Sequence, residues 1–184
     1  MHVFTYGTLM FPEVWRVVVG KGFESTPAQL PGYQIFRVRD AVYPGIIAAE
    51  LSGSDPISET IPEVQRAEMG RAEMGLTPSP RRFPKLGSQP STLDPRLSTV
   101  PGLLYLNVDA PSIERLDRFE DDFYRRQTIT VTCRDGQELA AEAYIVPQES
   151  RHVLTDESWT AEDFDNRGDL ARFVAKYAGF TRLS

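Results

Sequence analysis

Few stretches of this chain combine residue types and spacings that could do chemistry. GKGFES at 20–25 begins like a dinucleotide-binding loop, but a third glycine is missing and Pro27 and Pro31 fall where the phosphate-binding helix should start. It reads as a plain connection from a helix to a strand, and no Walker A sequence occurs either. The two histidines, His2 and His152, have neither metal-type spacing nor a GxSxG nucleophile elbow to serve, so surface roles are expected. Cys133 sits beside Arg134 at the end of an apolar run, where ordinary burial is expected. What is left is Tyr6-Gly7-Thr8-Leu9, and Glu120 ahead of Asp121, Asp122 and Tyr124-Arg125-Arg126. Taken singly, the glycine only permits a turn, and the three acids read as a solvated cluster.

These residues have to be positioned by the elements around them. HVFTY is a short β-branched and aromatic strand that stops at Gly7. Pro12 and Glu13 suit the first turn of a helix carrying Val14, Trp15, Val17 and Val18, and Gly20 suits its end. AQLPGYQIFRVR and YPGIIAAEL read as strands punctuated by Pro-Gly. GLLYLNV is a strand, and in DAPSIERLDRFE Asp109 can cap a helix with Pro111 in its first turn and Ile113, Leu116 and Phe119 on one side. FYRRQTITVTC and LAAEAYIV form a hairpin around Asp135-Gly136. Leu170, Phe173, Val174 and Tyr177 share one face of a closing helix, with Gly179 as its stop. Strands outnumber helices, so a small barrel-like mixed sheet with peripheral helices is the simplest packing.

The 184 residues, 41% of them hydrophobic, suit a single domain over 1–184. Between 52 and 98 the pattern fails in a run of Pro, Ser, Gly and charge that contains RAEMG twice, at 66–70 and 71–75. This is expected to be a mobile insertion, and about 155–184 a C-terminal helical extension. The balance of 20 basic against 26 acidic residues gives a net charge of −6 with no basic run, which argues against nucleic acid. There is no long apolar stretch for a membrane, MHVFTYGTLMF is not of signal-peptide type, and one cysteine allows no intrachain disulfide. The cytoplasm is the expected compartment; nothing in the sequence identifies a protein partner.

VFTYGTLM, AVYPGI, GLLYLNV, LDRFEDDFYRR and AEAYIV stand in the order found in γ-glutamylcyclotransferase-like proteins, which the chain resembles over about residues 2–50 and 99–147. HVLTDESWTAEDF and the helix after it look like the extension of the avirulence-induced-gene branch. The resemblance implies an α+β fold built on a small mixed β-barrel with peripheral helices. It implies a substrate loop of Tyr6, Gly7, Thr8 and Leu9, and a catalytic acid/base at Glu120. One departure stands out: members commonly carry glycine directly after that glutamate, where this chain has Asp121.

The implied reaction needs neither metal nor cofactor. In a small-molecule γ-glutamyl amide, the α-amine closes on the δ-carbonyl and expels the attached amine, leaving 5-oxoproline. Glu120 would take the proton from the attacking amine and return it to the leaving nitrogen. Burial and repulsion by Asp121 should raise its pKa, with Phe119 and Phe123 as neighbours. Backbone N–H groups of Gly7 to Leu9 would stabilise the oxyanion, and Tyr6 and Tyr144 would hydrogen-bond the substrate. Arg125 and Arg126 are expected to be solvated or ion-paired. The alternatives are a catalytically silent binding or interaction module on this fold, and the same chemistry in a biosynthetic route.

Overall fold

Strand β6 (Arg125–Cys133) buries Ile129, Val131 and Cys133 and turns the residues between them outward, the period of a strand with one face on a core. Gly136, at φ 83°, allows the tight reversal after it, and Asp135 Oδ1 accepts from Gln137 N–H at 3.0 Å. The chain returns as β7 (Glu138–Ile145), antiparallel, with Ile129 opposite Ala141. The sequence hairpin is therefore present in the computed structural model, which describes residues 1–49, 98–178 and 180.

This hairpin supplies two of the five strands of a closed barrel. Strand β1 (Val3–Thr5) lies parallel to β7 and antiparallel to β5 (Thr99–Tyr105); β5 pairs with β2 (Ser25–Pro31), and β2 closes on β6. The order β1-β5-β2-β6-β7 makes a mixed barrel, as expected. Phe4, Leu30, Val100, Leu104, Val131 and Ala143 fill it. Gly102 belongs here for a steric reason: a Cβ at that position would run into the Thr5 carbonyl and the Phe4 ring.

A second sheet was not foreseen. Gly32, at φ 77°, turns the chain out of the barrel after β2, so that β3 (Tyr33–Val38) pairs instead with β4 (Pro44–Ala48) and β8 (Leu154–Ser158), in the order β4-β3-β8. The extension is accordingly not helical throughout: it opens with β8 and continues as α3 (Ala161–Asn166) and α4 (Asp169–Lys176). The strand forms because Leu154 is buried while Thr155 Oγ1 donates to the Arg37 carbonyl at 3.2 Å.

The remaining helices obey their end signals. Helix α1 (Pro12–Val19) starts on proline and ends on left-handed Gly20, and it stacks Trp15 on Tyr105 with centroids 3.6 Å apart. Helix α2 (Ala110–Phe119) is capped by Asp109, which accepts from Ser112 N–H at 3.0 Å. In α4 Phe173 is buried, while Gly179 and nearly all of 52–98, with both RAEMG copies, lie outside the described residues. At the edges of that stretch, Ala49 N–H donates to the Gly32 carbonyl at 2.9 Å and Gly32 N–H donates to the Ser98 carbonyl at 2.8 Å. Among the described residues no helix is long and apolar enough to cross a membrane.

Candidate active site

Where β1 leaves the barrel, the backbone makes a single 3-10 turn, Thr8–Met10, with the Gly7 and Thr8 carbonyls accepting from Met10 and Phe11 N–H at 3.0 and 3.2 Å. The Tyr105 hydroxyl donates to the Leu9 carbonyl at 3.3 Å from the next strand. Gly7 lies against β4: a Cβ there would come within 2.6 Å of Pro44 Cγ. The loop keeps its path only if this residue has no side chain.

Glu120 arrives from the other side. It caps the C-terminus of α2, its N–H donating to Leu116 carbonyl at 3.1 Å, and its extended backbone swings the chain away from the helix axis. Tyr124 N–H then donates to the Asp121 carbonyl at 3.0 Å, and the Tyr124 hydroxyl donates to the Pro44 carbonyl at 2.7 Å. The Tyr43 hydroxyl donates to Asp121 Oδ2 at 2.6 Å. Trp159 Nε1 donates to the Val42 carbonyl at 2.9 Å, so the extension helps to hold this corner.

Between them lies one cleft of about 520 Å³, counted to its open mouth. Tyr6, Gly7, Thr8 and Leu9 line it, as do Glu120 and Tyr144, so every residue proposed for the site faces the same space. The rest of the wall includes Tyr43, Asp121, Tyr124, Phe119, Phe173 and Tyr177. Although residue Glu120 keeps part of its surface open to this mouth, withdrawal from water pushes its pKa up to about 8; the charges of Asp121 and then Asp117 add to the effect. At neutral pH it is largely a neutral acid, poised to exchange one proton.

The tyrosines are more committed than expected. Tyr6 donates its proton to the Tyr144 carbonyl at 2.5 Å, and Tyr144 donates to Asp117 Oδ1 at 2.7 Å. What either hydroxyl has left for a ligand is acceptor capacity. Burial raises both pKa values, with Glu120 adding to each, so both stay phenols. Asp117 is also ion-paired with Arg126 at 2.9 Å, and Arg126 reaches Glu142 at 3.4 Å. Arg125 donates to the carbonyls of Asp122 and Tyr124 at 2.6 and 3.1 Å. Neither arginine lines the cleft.

Phe119 neighbours Glu120 as expected, whereas Phe123 packs on Tyr124 at 4.5 Å and does not line the cleft. Cys133 is buried in the barrel, its pKa raised by desolvation and by Asp135. His2 Nδ1 accepts from Asn107 N–H at 3.3 Å, and His152 is exposed. Sequence reasoning missed Tyr43, Tyr124, Asp117, Phe173 and Tyr177. The first two stand inside AVYPGI and LDRFEDDFYRR, and the last two on the apolar face of the closing helix, so a signal for their presence existed but not for their role.

A mixed barrel with a largely desolvated acid facing a strand-end loop defines a small α+β protein with a cleft at the barrel rim. The chain matches the family described as gamma-glutamyl cyclotransferase, AIG2-like, over residues 3–73 and 76–161, and it belongs to that family. It is 39% identical to AIG2-like protein A of Arabidopsis thaliana over 49 residues, which make up 27% of this chain and 30% of that protein. A solution structure of an Arabidopsis thaliana protein, 19% identical, aligns with a TM-score of 0.55 over 99% of this chain and 91% of the other. A second from the same plant, 17% identical, also gives 0.55, over 98% and 83%. At these identities the two structures speak to the fold alone.

Proposed function

We propose that this protein is a γ-glutamyl cyclotransferase acting on a small γ-glutamyl amide. The observation that carries the reading is Glu120, a carboxyl group whose proton affinity is raised to the neutral range, facing the Gly7–Leu9 loop across one cleft. Family membership supports it independently. The cleft folds the substrate so that its α-amine lies against the δ-carbonyl; making the attack intramolecular can be worth about 7–11 kcal/mol. A new N–C bond closes the lactam while the amide C–N bond breaks. Glu120 takes the proton lost by the attacking nitrogen and delivers it to the departing one, so 5-oxoproline and a neutral amine form without water. Backbone N–H groups of Gly7–Leu9 meet the charge that grows on the carbonyl oxygen.

The test is incubation with a panel of γ-glutamyl amino acids and amines, read as 5-oxoproline released. Turnover of one or more is expected. If none is cleaved while 5-oxoproline still binds, the cleft belongs to a binding module instead.

A further inference from the structure

Tyr144 lines the cleft, but the group that fixes its hydroxyl does not. Asp117 lies outside the lining, on α2 three residues before Glu120, and its Oδ1 accepts from the Tyr144 hydroxyl at 2.7 Å. Arg126 Nε reaches the same oxygen at 2.9 Å. The register of the hairpin explains the meeting: Arg126 stands opposite Tyr144 across β6 and β7, so both side chains leave one face and Asp117 receives both. Arg126 is held in turn by Glu142 at 3.4 Å, and Glu142 accepts from the Thr128 hydroxyl at 2.7 Å.

The direction of that one proton matters because, on the cyclotransferase reading, the attacking group is an amine. A phenol can donate or accept. A hydroxyl donating to the amine would occupy the nitrogen lone pair that has to attack; an oxygen accepting one of its N–H bonds leaves that lone pair free. Four tyrosines of the lining have their protons spent on the protein: Tyr6 on the Tyr144 carbonyl, Tyr124 on the Pro44 carbonyl, Tyr43 on Asp121 and Tyr144 on Asp117. Two of these acceptors are backbone and Asp121 is itself part of the wall, so Asp117 is the acceptor whose side chain can be changed without altering the lining. A carboxylate accepting from a hydroxyl makes a charge-assisted bond, which is stronger than a neutral one.

We propose that Asp117 is a positioning residue for the cyclisation: it holds the Tyr144 hydroxyl proton away from the cleft, so that the Tyr144 oxygen accepts an N–H of the α-amine and leaves the lone pair free for the δ-carbonyl. This rests on the cyclotransferase reading.

The test is a double-mutant cycle on Asp117 and Tyr144, read as kcat and KM for 5-oxoproline release from one γ-glutamyl substrate that the wild type cleaves. Asp117 is exposed on its helix, where alanine is a good helix former, so Asp117→Ala should fold, as circular dichroism will show. Its kcat should fall about ten- to a hundredfold with KM changed less than about threefold. Asp117→Asn, whose oxygen still accepts, should keep most of the turnover. In a Tyr144→Phe background, Asp117→Ala should cost no more than about twofold further, because no hydroxyl is left to direct. Arg126→Met removes the ion pair but not the hydroxyl bond and should stay within about threefold of wild type. Near-normal turnover by Asp117→Ala, losses that multiply in the double variant, or an Asn variant as slow as the Ala variant overturns the proposal and leaves the cyclotransferase reading standing. So does an Arg126→Met enzyme as slow as Asp117→Ala, which would mean that Asp117 only anchors its helix. Absence of 5-oxoproline from the wild type across the substrate panel overturns both readings.

Discussion

The closed barrel and the open sheet beside it bury their strands in contrasting ways. The barrel interior is mostly aliphatic: Leu30, Val100, Leu104 and Val131 are at most 1% exposed, and Phe4 is the one large ring at that depth among them. Closure leaves no edge, so every strand of it is paired on both sides. The outer cluster, which takes in Val38 and Ile47 of the second sheet and Phe164 and Phe173 of the extension, mixes rings with its aliphatic residues, and Phe11, Trp159 and Phe173 each lie within 6.0 Å of Phe164. Its loops also expose carbonyls that the extension and the Glu120 segment use, Val42 for Trp159 and Pro44 for Tyr124. Strand β1 of the barrel leads straight into the Tyr6–Leu9 loop, and β6 begins just after the Glu120 segment. Phe119, Phe173 and Tyr177 supply rings to the cleft wall.

Glu120→Gln tests the barrel side most severely. Turnover should fall by about 10²–10⁴, read as single-turnover 5-oxoproline release, with the fold retained by circular dichroism. Near-normal turnover would take Glu120 out of the mechanism. On the aromatic side, Phe173→Ala removes a buried ring, a change that typically costs about 3–5 kcal/mol. The loss should appear first in Trp159 fluorescence, with hydrogen exchange in β6 and β7 preserved to higher denaturant. If the two probes melt together, the regions are one cooperative unit and the contrast fails.

Gly7→Val probes the seam. Its Cβ would meet the Pro44 ring at 2.6 Å, and overpacking of this kind costs about 1–3 kcal/mol. Turnover should drop more than in Thr8→Ala; the reverse order, with both proteins folded, would mean that the Thr8 hydroxyl matters more than the backbone path. The smallest effect is on pH. The carboxyl of Glu120 moves from an ordinary 4.5 to about 8 on folding, so between those values the native state holds more protons than the unfolded one. Stability therefore falls as pH rises through that window. Glu120→Gln should flatten this slope, while wild-type kcat/KM should rise as pH passes about 8 and the base form accumulates. A wild-type stability curve that does not fall across the window would show that the carboxyl is not desolvated.

Barrel strands were legible because each shows its face: Ile129, Val131 and Cys133 alternate, and Asp135-Gly136 and the Asp109 cap mark where elements turn or begin. Strand β8 was not. In LTDES only Leu154 is buried, so no alternation exists to read, and its pairing with β3 runs through backbone with a register shift between Phe36 and Val38. AQLPGYQIFRVR looked like one run of strand because a left-handed Gly32 does not announce that the next strand joins another sheet. Glu120 and the Tyr6–Leu9 loop were found through the family resemblance, not through their own patterns. Phe173 and Tyr177 escaped because periodicity says which residues share a helix face and not what that face meets, and Tyr43 because its place before a strand does not show that its hydroxyl meets Asp121. Asp117 escaped because a helical aspartate looks solvated until Tyr144 and Arg126 are seen on it.

Gly32 has a consequence for how this lineage can vary. The chain goes out past Ala49 and comes back at Ser98 with both residues hydrogen-bonded to that one glycine, so the gate through which the intervening stretch passes is fixed by the sheets and not by the stretch. The adjoining RAEMG units at 66–70 and 71–75 are the kind of scar that copying errors leave. Descendants should differ most in length here, and the gate residue should be inherited with less freedom than the sequence it lets through.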